Sequence, residues 1–160
     1  MYTPDATDLA LLALLQHDAT PSNQALAQAV GISPATCLRR LRTLRREGLI
    51  ERQVALLSHD RLASALGHGL AAIVEVTLDR QGAELLDAFE ARAVAEAAVQ
   101  QCWRVSPGPD FVLVVQLRDM PAYQALAQRL FTQDANVRNV RAFFATRRAK
   151  FQTNLPLGQV

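Results

Sequence analysis

The apolar residues of this chain change period part-way along it, and that change limits what the chain can fold into. Up to about residue 57 they recur at three- and four-residue spacing, and from Ala71 onward they begin to alternate. One spacing lays a stripe along a helix and the other lines one face of a pleated strand. The 160 residues therefore divide into a helical part, 1–57, a linker, 58–69, and a mixed α/β part, 70–160. Half of the residues are hydrophobic, enough to give each part a core.

In the first part, Asp8 to Gln16 reads as a helix with Leu9, Leu12 and Leu15 at threes, broadened by Leu11 and Leu14. Ser22 caps a second helix, Asn23 to Val30, with Leu26, Ala27 and Val30 on one face. Gly31-Ile32 forms a tight turn, and Ser33-Pro34 opens a third helix that Gly48 closes. Two helices joined by so short a glycine turn make a helix-turn-helix. Leu49 to Leu57 reads as a two-stranded ribbon or as one extended strand. Beyond the linker, Ala72, Val74, Val76 and Leu78 alternate with Ala71, Ile73, Glu75 and Thr77 as a strand. A helix over Gln81–Ala93, strands over Val99–Ser106 and Asp110–Arg118, a helix capped by Asp119 and a strand within Arg138–Phe151 complete the order βαββαβ. That is the ferredoxin-like arrangement, and the fold class is α+β.

The third helix has two unlike faces. At 100° per residue, Cys37, Leu38, Leu41 and Leu44 fall within an arc of about 120°. Opposite them lie Ala35, Thr36, Arg39, Thr43 and Arg46, flanked by Arg40 and Arg42. Residues 33–52 hold six arginines against two glutamates, although the whole chain has a net charge of only +2. A cationic face on the second helix of a helix-turn-helix suits the DNA major groove, where arginine bonds guanine in a bidentate fashion. Ser33, Thr36, Arg39, Arg40, Thr43 and Arg46 are the candidate DNA contacts. A second basic run, Arg138 to Lys150, contains no acid; it reads first as the charged solvent face of an edge strand.

These residues resemble a known family. Asp8 before an apolar helix, Leu26-Ala27, Val30-Gly31-Ile32-Ser33-Pro34, Cys37-Leu38-Arg39-Arg40-Leu41, Leu44 and Gly48-Leu49-Ile50 look like the DNA-binding end of the Lrp/AsnC (leucine-responsive/asparagine-type) transcriptional regulators. Gly67, Glu75-Val76, Cys102-Trp103, Val105, Asp110-Phe111, Asp119, Tyr123, Lys150 and Leu155-Pro156-Leu157 continue the resemblance in the same order. It implies an amino-terminal winged helix-turn-helix and a carboxy-terminal ferredoxin-like domain that dimerises, with dimers assembling into larger, often octameric, discs. It also implies an amino-acid effector held between dimers by the turn joining the second and third strands. Here that turn is Ser106-Pro107-Gly108-Pro109-Asp110, where the family commonly reads Gly-Asp-x-Asp. Asp110 can take the effector's ammonium group; the Ser106 hydroxyl and the Gly108 and Asp110 amides can take its carboxylate. The two prolines offer no amide donor, and a rigid hairpin turn without a ligand is the competing reading.

Other chemistry finds no footing. The sequence contains no nucleophile elbow, no His-Glu-x-x-His and no phosphate loop. His17, His59 and His68 are isolated, no metal or other cofactor is expected, and Cys37 reads as a small hydrophobe between helices. The longest apolar run, Leu9 to Leu15, is too short to span a membrane, and acids precede it where a secretory signal carries base. A cytoplasmic protein that is not an enzyme is the expectation. The alternative is a sirohaem-type decarboxylase, an enzyme resembling the same two-domain family, whose tetrapyrrole substrate demands a cleft of cations and a histidine.

Overall fold

Asp5 sets where the first helix starts. In the computed structural model its carboxylate accepts from the Asp8 N–H at 2.9 Å, and the Asp8 carboxylate accepts from the Asp5 N–H at 3.2 Å, a reciprocal cap on α1 (Ala6–His17). The structure describes residues 2–67 and 69–157. His68 lies outside them, as does the side chain of His59.

Ser22 caps α2 (Asn23–Ala29), and Gly31, just beyond its end at φ 71°, admits the turn. The Ile32 N–H then returns to the Ala27 carbonyl at 2.9 Å. Ser33 caps α3 (Pro34–Arg46), with Pro34 in its first turn. Leu11, Leu26, Ala27, Cys37, Leu41 and Leu44 are buried together between these helices. The apolar seam of α3 therefore centres on Cys37, Leu41 and Leu44, while Leu38 lies at its rim and is 38% exposed.

The expected ribbon over Leu49–Leu57 does not form among the described residues; 51–58 have no regular structure. The segment read as linker instead carries a short helix, α4 (His59–Leu66), ended by Gly67. Two leucines four apart, Leu62 and Leu66, are too few to register as a period, and both are exposed.

The second part forms a four-stranded antiparallel sheet in the order β2-β3-β1-β4, from β1 (Leu70–Leu78), β2 (Val99–Arg104), β3 (Phe111–Leu117) and β4 (Val137–Phe144). β1 lies between β3 and β4, with Val74 opposite Leu113 on one side and Ala142 on the other. α5 (Ala83–Ala95) and α6 (Met120–Ala127) cover one face, and α6 runs on into a π turn, Gln128–Thr132. Val74, Val76, Phe111, Leu113 and Val115 of the sheet bury against Phe89, Leu126, Leu130 and Phe131. Full burial of side chains this size contributes about 1.5–3 kcal/mol each. The opposite face stays open: Ile73, Trp103 and Phe143 are exposed on it.

The described residues form two compact units, one of residues 2–56 with 150–157 and one of residues from 57 to 149. The segment from Lys150 on groups with the helical unit. The reason is a set of hydrogen bonds from Gln16 to Leu155 and from Asn154 to Gln16, partners 138 and 139 residues apart.

Candidate nucleic-acid interface and effector turn

The reading helix is held firmly at its start. The Ser33 hydroxyl accepts from the Thr36 N–H at 3.2 Å and donates to the Thr36 hydroxyl at 2.9 Å. Asn23 of α2 donates to the Pro34 carbonyl at 2.8 Å, fixing the angle between the two helices. Ser33, Arg39, Arg42, Arg45 and Arg46 are exposed, and Thr36 and Thr43 are half-buried beside them. Arg45 donates to the Gln53 side chain at 3.2 Å, and Arg46 pairs with Glu47 at 3.0 Å. Among the described residues, Arg39 and Arg42 carry no ion pair. Their guanidinium forks remain free for phosphate or base edges.

Arg40 is placed otherwise. Its Nη1 lies 2.8 Å from Asp5 Oδ2 and 2.9 Å from Asp8 Oδ1. Asp8 is 1% exposed, and its other oxygen accepts from the Tyr2 hydroxyl at 2.6 Å. The guanidinium is thus turned onto α1, away from the exposed arginine face, and bridges the reading helix to its support. The Asp8 N–H and Arg40 together hold the Asp5 carboxyl below the usual carboxylate range, and hydrogen bonding to Asp8 pushes the Tyr2 hydroxyl up. The helix starts at Ala6, two residues before the Asp8 read from periodicity, because Asp5 and Asp8 cap it reciprocally; Arg40, 32 residues beyond Asp8, left no local signal. Burial pushes the Cys37 thiol up, which opposes thiolate chemistry there.

The turn between β2 and β3 borders a cavity of 410 Å³ lined by Gln81, Leu86, Arg104, Val105, Ser106 and Asp110. Gly108, at φ 127°, lets the turn close. Asp110 is partly committed to the sheet. Its Oδ2 accepts from the Leu78 N–H at 2.6 Å, and its own N–H donates to the Val76 carbonyl at 2.9 Å. The Asp110 amide is therefore engaged, which removes one of the donors expected for an effector carboxylate; the Ser106 hydroxyl and the Gly108 amide remain. Sequence reasoning missed Arg104, the cation in the cavity wall. It pairs with Asp87 and Glu90, each at 2.7 Å, and lies 5.6 Å over the Phe111 ring. Its position at the end of an alternating strand was the available signal. Among the described residues no group of acids, histidines and cysteines is arranged to hold a metal ion, and no helix is long and apolar enough to cross a membrane.

Residues 4–51 match the family model for a winged helix-turn-helix DNA-binding domain, and residues 71–155 match that of the Lrp/AsnC ligand binding domain. The chain belongs to the Lrp/AsnC family. It is 38% identical over 146 residues to a leucine-responsive regulatory protein of Rhizobium meliloti, covering 91% of each chain. It is 33% identical over 153 residues to the DNA-binding transcriptional activator DecR of Escherichia coli, covering 96% of this chain and 98% of that one. Among solved structures, an AsnC family regulator from Agrobacterium tumefaciens superposes with a TM-score of 0.85 at 30% identity over 96% of this chain and 97% of that one. A Neisseria meningitidis transcriptional regulator in complex with L-Met gives a TM-score of 0.84 at 28% identity, with 97% of both chains covered. This family member is a DNA-binding transcriptional regulator, and its relatives are regulators and not enzymes. Nothing among them supports the decarboxylase alternative.

Proposed function

We propose that this regulator reads DNA through the exposed face of α3 and answers to an amino acid bound at the turn between β2 and β3. The observation that carries the first half is the contrast on one helix: Arg39 and Arg42 are free while Arg40 is engaged. Arg39 reads a base edge, Ser33, Thr36, Thr43 and Arg46 position the helix on the backbone or at bases, and Arg40 holds the helix to α1. Two copies act together in the cytoplasm, joined through the open sheet face, where Ile73, Trp103 and Phe143 await cover. Further pairing of dimers toward an octamer follows the family pattern.

For the effector, the cavity beside the turn offers complementary groups to a zwitterion. The Asp110 oxygen not used by Leu78 takes the ammonium group, and the Ser106 hydroxyl takes the carboxylate, joined by the amide of Gly108 in the adjoining turn. Leu86 and Val105 supply apolar wall. The complex of a similar regulator with L-Met supports this choice of ligand class. Calorimetric titration of the protein with each of the twenty amino acids tests it. At least one binds, and Asp110→Asn, which keeps an acceptor for the Leu78 N–H but removes the charge, weakens that binding about tenfold or more without lowering the melting temperature. Absence of any binder at millimolar concentration, or a binder indifferent to Asp110→Asn, contradicts the assignment.

A further inference from the structure

The far end of α1 makes a contact that neither the reading face nor the effector turn uses. The Gln16 side chain satisfies both backbone groups of one residue late in the chain: its Nε2 donates to the Leu155 carbonyl at 3.1 Å, and its Oε1 accepts from the Leu155 N–H at 2.9 Å. Asn154 completes the arrangement. Its Nδ2 donates to the Gln16 carbonyl at 3.1 Å and lies 3.2 Å from His17 Nδ1. The carbonyls of the last helical turn lack partners within the helix, so Asn154 supplies one from outside. The Leu155 side chain is exposed. The docking therefore rests on these polar bonds more than on apolar burial.

The chain consequently passes between the two units twice, once through 51–58 and again after β4. The first passage has no regular structure and exposes Val54, Leu56 and Leu57. A single irregular connection lets a folded unit sample a wide volume; a second, pinned connection narrows that range and reduces the ordering cost of binding. We propose that Gln16 and Asn154 form a clasp that pins the segment after β4 to the DNA-binding unit and so restricts the half-site spacings that a pair of reading helices accepts. Both are positioning residues and touch no DNA. The role rests on the reading of DNA by two copies proposed above.

The test uses the full chain with Gln16→Ala, Asn154→Ala and both together. Hydrogen exchange at the Leu155 amide reports the clasp without DNA. Binding is then measured to a DNA duplex selected with the protein itself, to the same duplex respaced by about half a helical turn, roughly 5 bp, and to a single half-site. The wild type protects the Leu155 amide and binds the respaced duplex at least about tenfold more weakly. The double variant loses protection by about tenfold or more, as expected when the acceptor of the Leu155 N–H and the bonds beside it are removed. It keeps its single half-site affinity, and its discrimination between spacings falls to within about threefold. Exchange at Leu155 as fast in the wild type as in a free chain overturns the clasp. A double variant that keeps wild-type spacing discrimination overturns its positioning role. A wild type indifferent to spacing removes two-copy reading, and that role with it, while the exchange arm still decides whether the clasp forms.

Discussion

Arg39 and Arg40 are neighbours in sequence, and 100° of helix rotation gives them different work. One projects from the exposed face; the other bonds Asp5 and the buried Asp8. Removing the Arg40 guanidinium leaves Asp8 with fewer partners in a site that excludes water. Arg40→Ala therefore lowers the melting temperature, at a cost of about 1–3 kcal/mol, whereas Arg39→Ala leaves it nearly unchanged. The same melts carry a pH signature. The folded Asp5 carboxyl titrates below its unfolded value, which lies near 3.9. Its stabilisation is therefore complete only above about pH 5, shrinks as pH falls past the unfolded value, and is lost as pH falls through the folded value. Asp5→Asn flattens the acid limb of the stability curve. An acid limb identical to wild type, or an Arg40→Ala protein as stable as wild type, removes the cluster's structural role.

At the scale of elements, periodicity made most of the architecture legible, because burial enforces it. The alternation of Ala72, Val74, Val76 and Leu78 corresponds to buried positions on β1, and Ser33-Pro34 marks where α3 begins. α4 escaped because its exposed leucines follow no core. β2 ends short of its sequence range and β4 begins one residue before its own, because strand ends depend on pairing partners, which period alone does not name. Residue partnerships across long separations, Arg40 with Asp8 and Gln16 with Leu155, left no local trace. The segment between β2 and β3 was legible as a turn, but the commitment of the Asp110 amide to Val76 required the sheet register. The open sheet face makes its own prediction. Trp103 is 58% exposed in the single chain, so its fluorescence should be blue-shifted in the assembled protein and move red on dilution. Trp103→Lys should lower the mass measured by light scattering. A monomer at micromolar concentration with unshifted emission contradicts dimerisation through this face.

For the whole molecule, one chain joins a helical unit that presents a cationic reading face to a sheet unit with a cavity and an uncovered apolar side. The family match covers both units. The proposed division puts recognition on α3, ligand response on the turn between β2 and β3, and assembly on the open sheet face. Arg39 is proposed to carry sequence information while its neighbour carries stability. The most direct measurement is the affinity of wild type and Arg39→Ala for a selected operator and its single-base variants, across a range of salt concentrations. Loss of about 1–3 kcal/mol on the operator, with relaxed specificity at one base pair and a salt slope close to wild type, is the predicted result. An unchanged affinity, or an equal loss on every sequence with the salt slope reduced by about one unit, contradicts base reading by Arg39.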